Sequence, residues 1–175
     1  MIVMMAGLPG TGKSTLAHLL DQRTSGAVID KDVVRAALFS PQHIEHSRLQ
    51  NDFCQEIMLQ TAGYLLAQGS STYIFLDGRT FSRQYQRQRV IEFCSEVETR
   101  WAILECVCGE KTALGRLQRA ATEHTHPALN RTPELYRHLR ETWEPIDLPK
   151  LTIDTDNSSD FCALQAMRYL SEITA

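Results

Sequence analysis

Nine consecutive residues, Gly7-Leu8-Pro9-Gly10-Thr11-Gly12-Lys13-Ser14-Thr15, carry the spacing G-x-x-x-x-G-K-[ST]. The residue types suit one task, the wrapping of a phosphate. Successive backbone N–H groups must converge on the anion, and side chains at Gly7, Gly10 or Gly12 would obstruct that approach. Lys13 reaches the outer phosphates as a point charge, and the Ser14 hydroxyl is a ligand for Mg²⁺. The competing reading is a plain glycine turn between a strand and a helix.

Other residues with chemical potential follow. Asp32 and Arg35 are three apart and share a helix face. A phosphotransferase needs a carboxylate to orient the acceptor hydroxyl and accept its proton, and a neighbouring cation to hold the acceptor or steady that carboxylate. A helix cap beside a solvated arginine is the bland alternative. Asp77 closes an apolar run ahead of Gly78. It would hold Mg²⁺ through water, position Arg35 or the acceptor, or simply form an Asp-Gly turn. Arg79, next to that strand end, is the best placed of Arg79, Arg83 and Arg87 to read an anionic substrate, and Arg87 reads as part of a solvated face. Arg116 and Arg119 precede an unpatterned stretch. Mobile arginines that close over a transferring phosphoryl group stabilise its charge and exclude water, although basic residues also complement a helix C-terminus. His124 and His126, with Glu123 nearby, do not make a metal site.

The elements that must position these groups are legible from periodicity. Ile2 to Ala6 reads as a buried strand and Lys13 to Leu20 as an amphipathic helix. Ala27-Val28-Ile29 reads as a second strand, delivering Asp30-Lys31-Asp32 into a helix ending near Leu38. After Pro41 a long helix is expected from about Ile44 to Ala67. Its apolar face would be Leu49, Phe53, Ile57, Thr61 and Tyr64 or Leu65, its polar face Glu45, Arg48, Asp52 and Glu56. Thr72 to Leu76 is a third strand. A helix capped by Ser82 runs to about Ser95, Trp101 to Val107 is a fourth strand, and Glu110 to Ala120 a helix. Ala121 to Arg131 reads as a loop, Thr132-Pro133 as a helix start, Leu151 to Ile153 as a fifth strand, and Asp160 to Glu172 as the last helix. Strands alternating with helices imply a mainly parallel five-stranded sheet covered on both faces, an α/β fold. Ligands in such sheets bind beyond the strand C-termini. The phosphate loop, Asp30, Asp32 and Asp77 would therefore meet on one edge.

Whole-chain properties narrow the classes further. The 175 residues, with 43% apolar and 22% charged, fit one soluble domain. A net charge of −3 provides no global basic field for nucleic acid. Five scattered cysteines read as reduced core thiols of a cytoplasmic protein. The apolar N-terminus is taken up by the first strand and reads as no signal peptide, and no apolar run is long enough for a membrane span.

The sequence G-L-P-G-T-G-K-S-T, then I-D-K-D-V-V-R, then F-L-D-G-R-T-F, then G-R-L-Q-R resembles the small P-loop kinases of the polynucleotide kinase, zeta-toxin and chloramphenicol phosphotransferase type. The similarity spans nearly the whole chain. It implies a three-layer P-loop NTPase fold, a single kinase domain over 1–175 with a small lid at about 116–135, and ATP with Mg²⁺ as cofactors. In the phage polynucleotide kinase an Asp-x-x-Arg supplies the general base and an acceptor-binding arginine, and Asp32 and Arg35 match it. The third-strand aspartate matches Asp77. The lid arginine best matches Arg119, with Arg116 one turn earlier. Thr155 to Ser158 would lie near the adenine. The chain departs from the pattern at Asp30, an acid two residues before the matched base and similar to the doubled acid of zeta toxins, so either Asp30 or Asp32 is the base. The absence of Asn-Lys-x-Asp favours ATP over GTP. The expected activity is transfer of the γ-phosphoryl group to a hydroxyl of a small-molecule acceptor. The alternatives are a 5′-hydroxyl polynucleotide kinase, which would make nucleic acid the partner, and a regulatory ATPase that transfers to water alone. Monomer and homodimer are equally compatible with the sequence.

Overall fold

The computed structural model describes residues 1–123 and 132–174. Along the chain run β1 (Ile2–Ala6), α1 (Lys13–Thr24), β2 (Ala27–Asp30), α2 (Lys31–Leu38), a 3-10 turn at Pro41–His43, α3 (Arg48–Ala67) and β3 (Ile74–Asp77). These are followed by α4 (Gln84–Glu96), β4 (Trp101–Val107), α5 (Glu110–Glu123), α6 (Pro133–Glu141), β5 (Leu151–Asp154) and α7 (Ser159–Thr174). The sheet order is β2-β3-β1-β4-β5, and every pairing is parallel.

The alternation of β1 explains the layers. Val3 and Met5 join Leu16, Ala17 and Leu20 of α1 and Ala163, Ala166 and Leu170 of α7 on one face. Ile2, Met4 and Ala6 join Met58, Leu59 and Ala62 of α3 and Val90 and Phe93 of α4 on the other. A strand covered on both faces must be apolar at every position, and all five residues of β1 are buried. β1 lies between β3 and β4, so its C-terminal loop emerges at the middle of the sheet edge. A small third cluster of Ala113, Leu117 and Tyr136 packs α5 against α6. Residues 124–131, which carry His124, His126, Pro127 and Asn130 and the middle of the expected lid, lie outside the described residues.

The sheet agrees with the sequence reading, and β4 does so to the residue. Helix α3 does not. It begins at Arg48 rather than near Ile44, because Pro41–His43 forms a separate turn and the Ser47 hydroxyl accepts the Gln50 N–H at 3.2 Å. Its expected apolar face is also turned outward. Leu49 is 81% exposed and Phe53 50%, while Cys54, Met58, Leu59 and Ala62 are buried. The N-terminal half of α3 borders a cleft, so its polar residues point inward there. Leu59→Ala is therefore expected to cost about 2–5 kcal/mol, and Leu49→Ala less than about 0.5 kcal/mol. Urea melts of the two variants test this, and the reverse ranking would restore the sequence-based face.

The cap of α4 also differs. Arg83 holds the N-cap position, and its N–H donates to Gln86 Oε1 at 3.3 Å. Ser82 is buried instead, with its hydroxyl 3.0 Å from that of Thr80.

Candidate active site

The phosphate loop leaves β1 and enters α1 through glycines with positive φ: 138° at Gly7, 80° at Gly10 and 80° at Gly12. A Cβ at Gly7 would collide with the Cys106 carbonyl, and one at Gly10 would sit 2.5 Å from Ala113 O. The glycines thus serve the packing of the loop on β4 and α5 as well as the approach of a phosphate. Lys13 Nζ donates to Leu8 O at 2.7 Å, and the Thr11 hydroxyl donates to the same carbonyl at 2.8 Å. These bonds hold the loop curled. Pro9 is buried, while Ser14 is half-buried and Thr15 exposed in the first turn of α1, where free helix amides favour an anion. The Gly7 N–H donates to Thr80 O at 3.1 Å, tying the loop to the segment after β3.

β2 and β3 bring their acids to the same edge, where Asp30 and Asp77 are register partners. Asp30 caps α2, its carboxylate accepting from the N–H groups of Asp32 (2.6 Å) and Val33 (3.4 Å). Burial, then the Asp77 charge, raises its pKa above the usual carboxylate range, and the cap bonds oppose that rise. A carboxyl whose folded pKa is raised contributes stability that is full below its unfolded pKa, about 3.9, and lost as pH rises through the folded value. Asparagine caps as well as aspartate. Asp30→Asn is therefore expected to melt higher than wild type at pH 7 in a chelator and at nearly the same temperature at pH 3.5. A lower melting temperature at pH 7 would contradict this.

Asp32 lies one helical step further on, 5% exposed, with its carboxylate 2.5 Å from Arg35 Nη1 and 3.3 Å from Lys31 Nζ. Asp77 is wholly buried, and neither of its carboxylate oxygens has a hydrogen-bond partner among the described residues. An ionised carboxylate left so is costly. A hard oxygen-seeking cation such as Mg²⁺ would relieve that cost, so the residues present fit the metal.

A cavity of about 570 Å³ opens between these elements, and both Lys13 and Asp32 line it. Arg79 forms part of its wall. It is 5% exposed, donates to Asn51 O at 2.8 Å and pairs with Asp52. A smaller pocket of about 170 Å³ lies on the other side of the loop, lined by Gly12, Thr15, Arg116, Thr155 and Asn157. Arg116 donates to Thr155 Oγ1 at 2.9 Å, to Thr155 O at 2.8 Å and to Gly10 O at 3.4 Å. Arg119, three residues later on α5, is exposed. The two arginines thus diverge, and Arg116 is the one that touches the loop.

Residues 2–141 match the family model described as an AAA domain. The chain belongs to that family. No curated protein matches the sequence. Solved structures share the fold at low identity. The Mycobacterium tuberculosis APS kinase, solved with AMPPNP and APS, has a TM-score of 0.71 and 18% identity over 97% of this chain and 96% of its own. A gluconokinase from Sinorhizobium meliloti has a TM-score of 0.67 and 16% identity over 98% and 91%. Chaetomium thermophilum Kti12, solved with ADP-AlF3, has a TM-score of 0.73 and 14% identity over 100% of both chains. The fold is the α/β fold of P-loop NTPases.

In this AAA domain several site-forming residues carry no sequence signal. Asn51 accepts from Lys31 Nζ at 3.0 Å and from Arg35 through its side chain, and from Arg79 through its carbonyl. Asp52, expected on a solvated face, pairs with Arg79 and sits 3.6 Å from Arg48. Arg87, also expected to be solvated, is 2% exposed and donates to Phe81 O at 2.7 Å, Pro145 O at 3.0 Å and Glu144 O at 3.3 Å. Among the described residues no helix is long and apolar enough to cross a membrane, and no cluster of three or more His, Cys, Asp or Glu could hold a metal ion. All five cysteines are free thiols.

Proposed function

We propose that the protein is an ATP-dependent kinase that transfers the γ-phosphoryl group to a hydroxyl of a small-molecule acceptor. The observation that carries this reading is that Lys13 and Asp32 line one cavity. A donor phosphate on the loop and an acceptor hydroxyl on Asp32 would thus face each other. A nucleotide switch needs no buried carboxylate–arginine pair across from its phosphate loop. The APS kinase and gluconokinase neighbours support a small acceptor.

In this reading the loop amides, Lys13 and the N-terminus of α1 bind the ATP phosphates, and the Thr155–Asn157 turn borders the base. Ser14 and Asp77 would hold Mg²⁺, which supplies charge neutralisation on the β- and γ-phosphates. Asp32 accepts the acceptor's proton, and Arg35 fixes its carboxylate. Asp30 is less suited to be the base because its oxygen already caps α2. Arg116 tracks the donor side. Arg119 is exposed on α5.

ADP release under Mg²⁺-ATP, measured against sugars, nucleosides and a 5′-hydroxyl oligonucleotide, tests the proposal. Stimulation by a small acceptor is expected. Stimulation by the oligonucleotide alone would make the protein a polynucleotide kinase, and release indifferent to every acceptor would leave a regulatory ATPase.

A further inference from the structure

The wall of the larger cavity has an imbalance of charge that the donor does not account for. Two carboxylates, one in that wall and one paired to residues of it, are each shared between two cations. Asp32 lies between Lys31, at 3.3 Å, and Arg35, at 2.5 Å. Asp52 lies between Arg48, at 3.6 Å, and Arg79. Asn51 draws the two groups into one network, because its side-chain oxygen accepts from Lys31 and Arg35 and its carbonyl from Arg79. Arg83 is balanced by Glu144 at 3.2 Å. Among the described residues, the four cations Lys31, Arg35, Arg48 and Arg79 thus share ion pairs with two carboxylates, Asp32 and Asp52.

Three features suggest that this excess is kept for a ligand. Arg79 is 5% exposed, yet its Nε has no hydrogen-bond partner among the described residues. That Nε–H is a buried donor, and a buried donor left unpaired is costly. Arg48, by contrast, is mostly exposed and lies over the Tyr85 ring at 4.3 Å, so its planar guanidinium is held at the cavity wall. Lys31 and His46 also line the cavity. Burial lowers the pKa of each, and the charge of Arg35 adds to that effect in both, while Asp32 opposes it. The donor phosphates already have Lys13, the loop amides and the N-terminus of α1.

We infer that the acceptor carries an anionic group, a carboxylate or a phosphate monoester, a few bonds from the hydroxyl that is phosphorylated, and that Lys31, Arg48 and Arg79 hold it. This inference rests on the kinase reading. The short distance between Lys31 Nζ and the Asp32 carboxylate sets the spacing between anion and hydroxyl. In the transfer, the acceptor oxygen forms a bond to the γ-phosphorus, and the bond from that phosphorus to the β,γ-bridging oxygen breaks. ADP leaves with that electron pair, and the hydroxyl proton passes to Asp32 and then to solvent.

Matched acceptor pairs test the inference: a sugar against its aldonic acid, and a nucleoside against its 3′-monophosphate. Turnover is read with Mg²⁺-ATP. Binding is read by calorimetry with Mg²⁺-AMPPNP filling the donor site, so that no anion can occupy the phosphate loop. In at least one pair the anionic member is expected to exceed the neutral one by tenfold or more in kcat/KM and in affinity, and the responding pair names the anion. Arg48→Ala should reduce that preference about tenfold through KM with little change in kcat, and Arg48→Lys should restore part of it. Equal or better use of the neutral members, or no anion-selective binding in either pair, overturns the inference while leaving kinase action intact if neutral acceptors turn over. Arg48-dependent binding of an anionic member without transfer would instead sustain the anion site and remove the kinase reading.

Discussion

Asp32→Asn is expected to lower acceptor phosphorylation by about 10²–10⁴-fold, the range attributable to general base catalysis, while leaving the affinity for Mg²⁺-ATP within about twofold. The asparagine keeps the shape and one acceptor oxygen for Arg35 but cannot take a proton. The change also removes one charge from a buried pair that is 5% and 2% exposed. Breaking such a pair costs up to about 3–5 kcal/mol, so a melting curve must accompany the kinetics. Asp30→Asn is the matched control. Its carboxylate caps α2 and is not part of the cavity wall that contains Asp32. Near-normal turnover in Asp32→Asn together with loss in Asp30→Asn would transfer the role of base to Asp30.

Arg87→Met is expected to be strongly destabilising. The guanidinium satisfies three carbonyls, those of Phe81, Glu144 and Pro145, from a site that is 2% exposed. Burial holds its pKa below the usual arginine value, although the charges of Glu144, Asp147 and Glu105 oppose that shift. Phe81, fully buried with a φ of 52°, needs this anchor because a non-glycine residue there is strained. Removing the anchor leaves the buried Phe81 carbonyl and the partly buried Glu144 and Pro145 carbonyls unpaired, at about 1–3 kcal/mol for a buried one and less for the others. A total of about 3–5 kcal/mol would lower the melting temperature by roughly 10 °C, at about 2–4 °C per kcal/mol for a chain of this size. The same loop contains Thr80, whose carbonyl accepts the Gly7 N–H, and Arg79 of the cavity wall. Under the kinase reading, residual folded protein should thus show a raised KM for the acceptor. A melting temperature within 2 °C of wild type would mean that the loop is held by other contacts.

The phosphate loop was legible in the sequence because its constraints fall on consecutive residues: positive φ, close approach and a cation at a fixed offset. β1 was legible because a strand covered on both faces is apolar throughout, and β4 because every residue in it but Glu105 is apolar. The α2 motif was legible for a similar reason, since Asp32 and Arg35 are neighbours on one helix face. The orientation of α3 was not. Leu49 and Phe53, four residues apart, resemble a core stripe, and Asn51, Asp52 and Gln55 resemble a wet one. The rule that apolar residues face inward assumes water on the opposite side. Here the inward side of the N-terminal half is a polar cleft, so Asn51 and Asp52 are used there. Arg87 was hidden differently, because its carbonyl partners at Glu144 and Pro145 are almost sixty residues away and leave no local pattern. The divergence of Arg116 from Arg119 also depends on tertiary contacts, namely those of α5 with Gly10 and Thr155.

The central claim is that the γ-phosphoryl group goes from ATP to a hydroxyl positioned by Asp32. A single-turnover experiment with ATP labelled at the γ-phosphate, run with the best acceptor found in the ADP-release panel, tests it most directly. The label is expected to appear in an acid-stable phosphate ester of that acceptor in wild type and to remain in ATP in Asp32→Asn. Label collecting only as inorganic phosphate, at the same rate with and without acceptor and in both proteins, would contradict the claim.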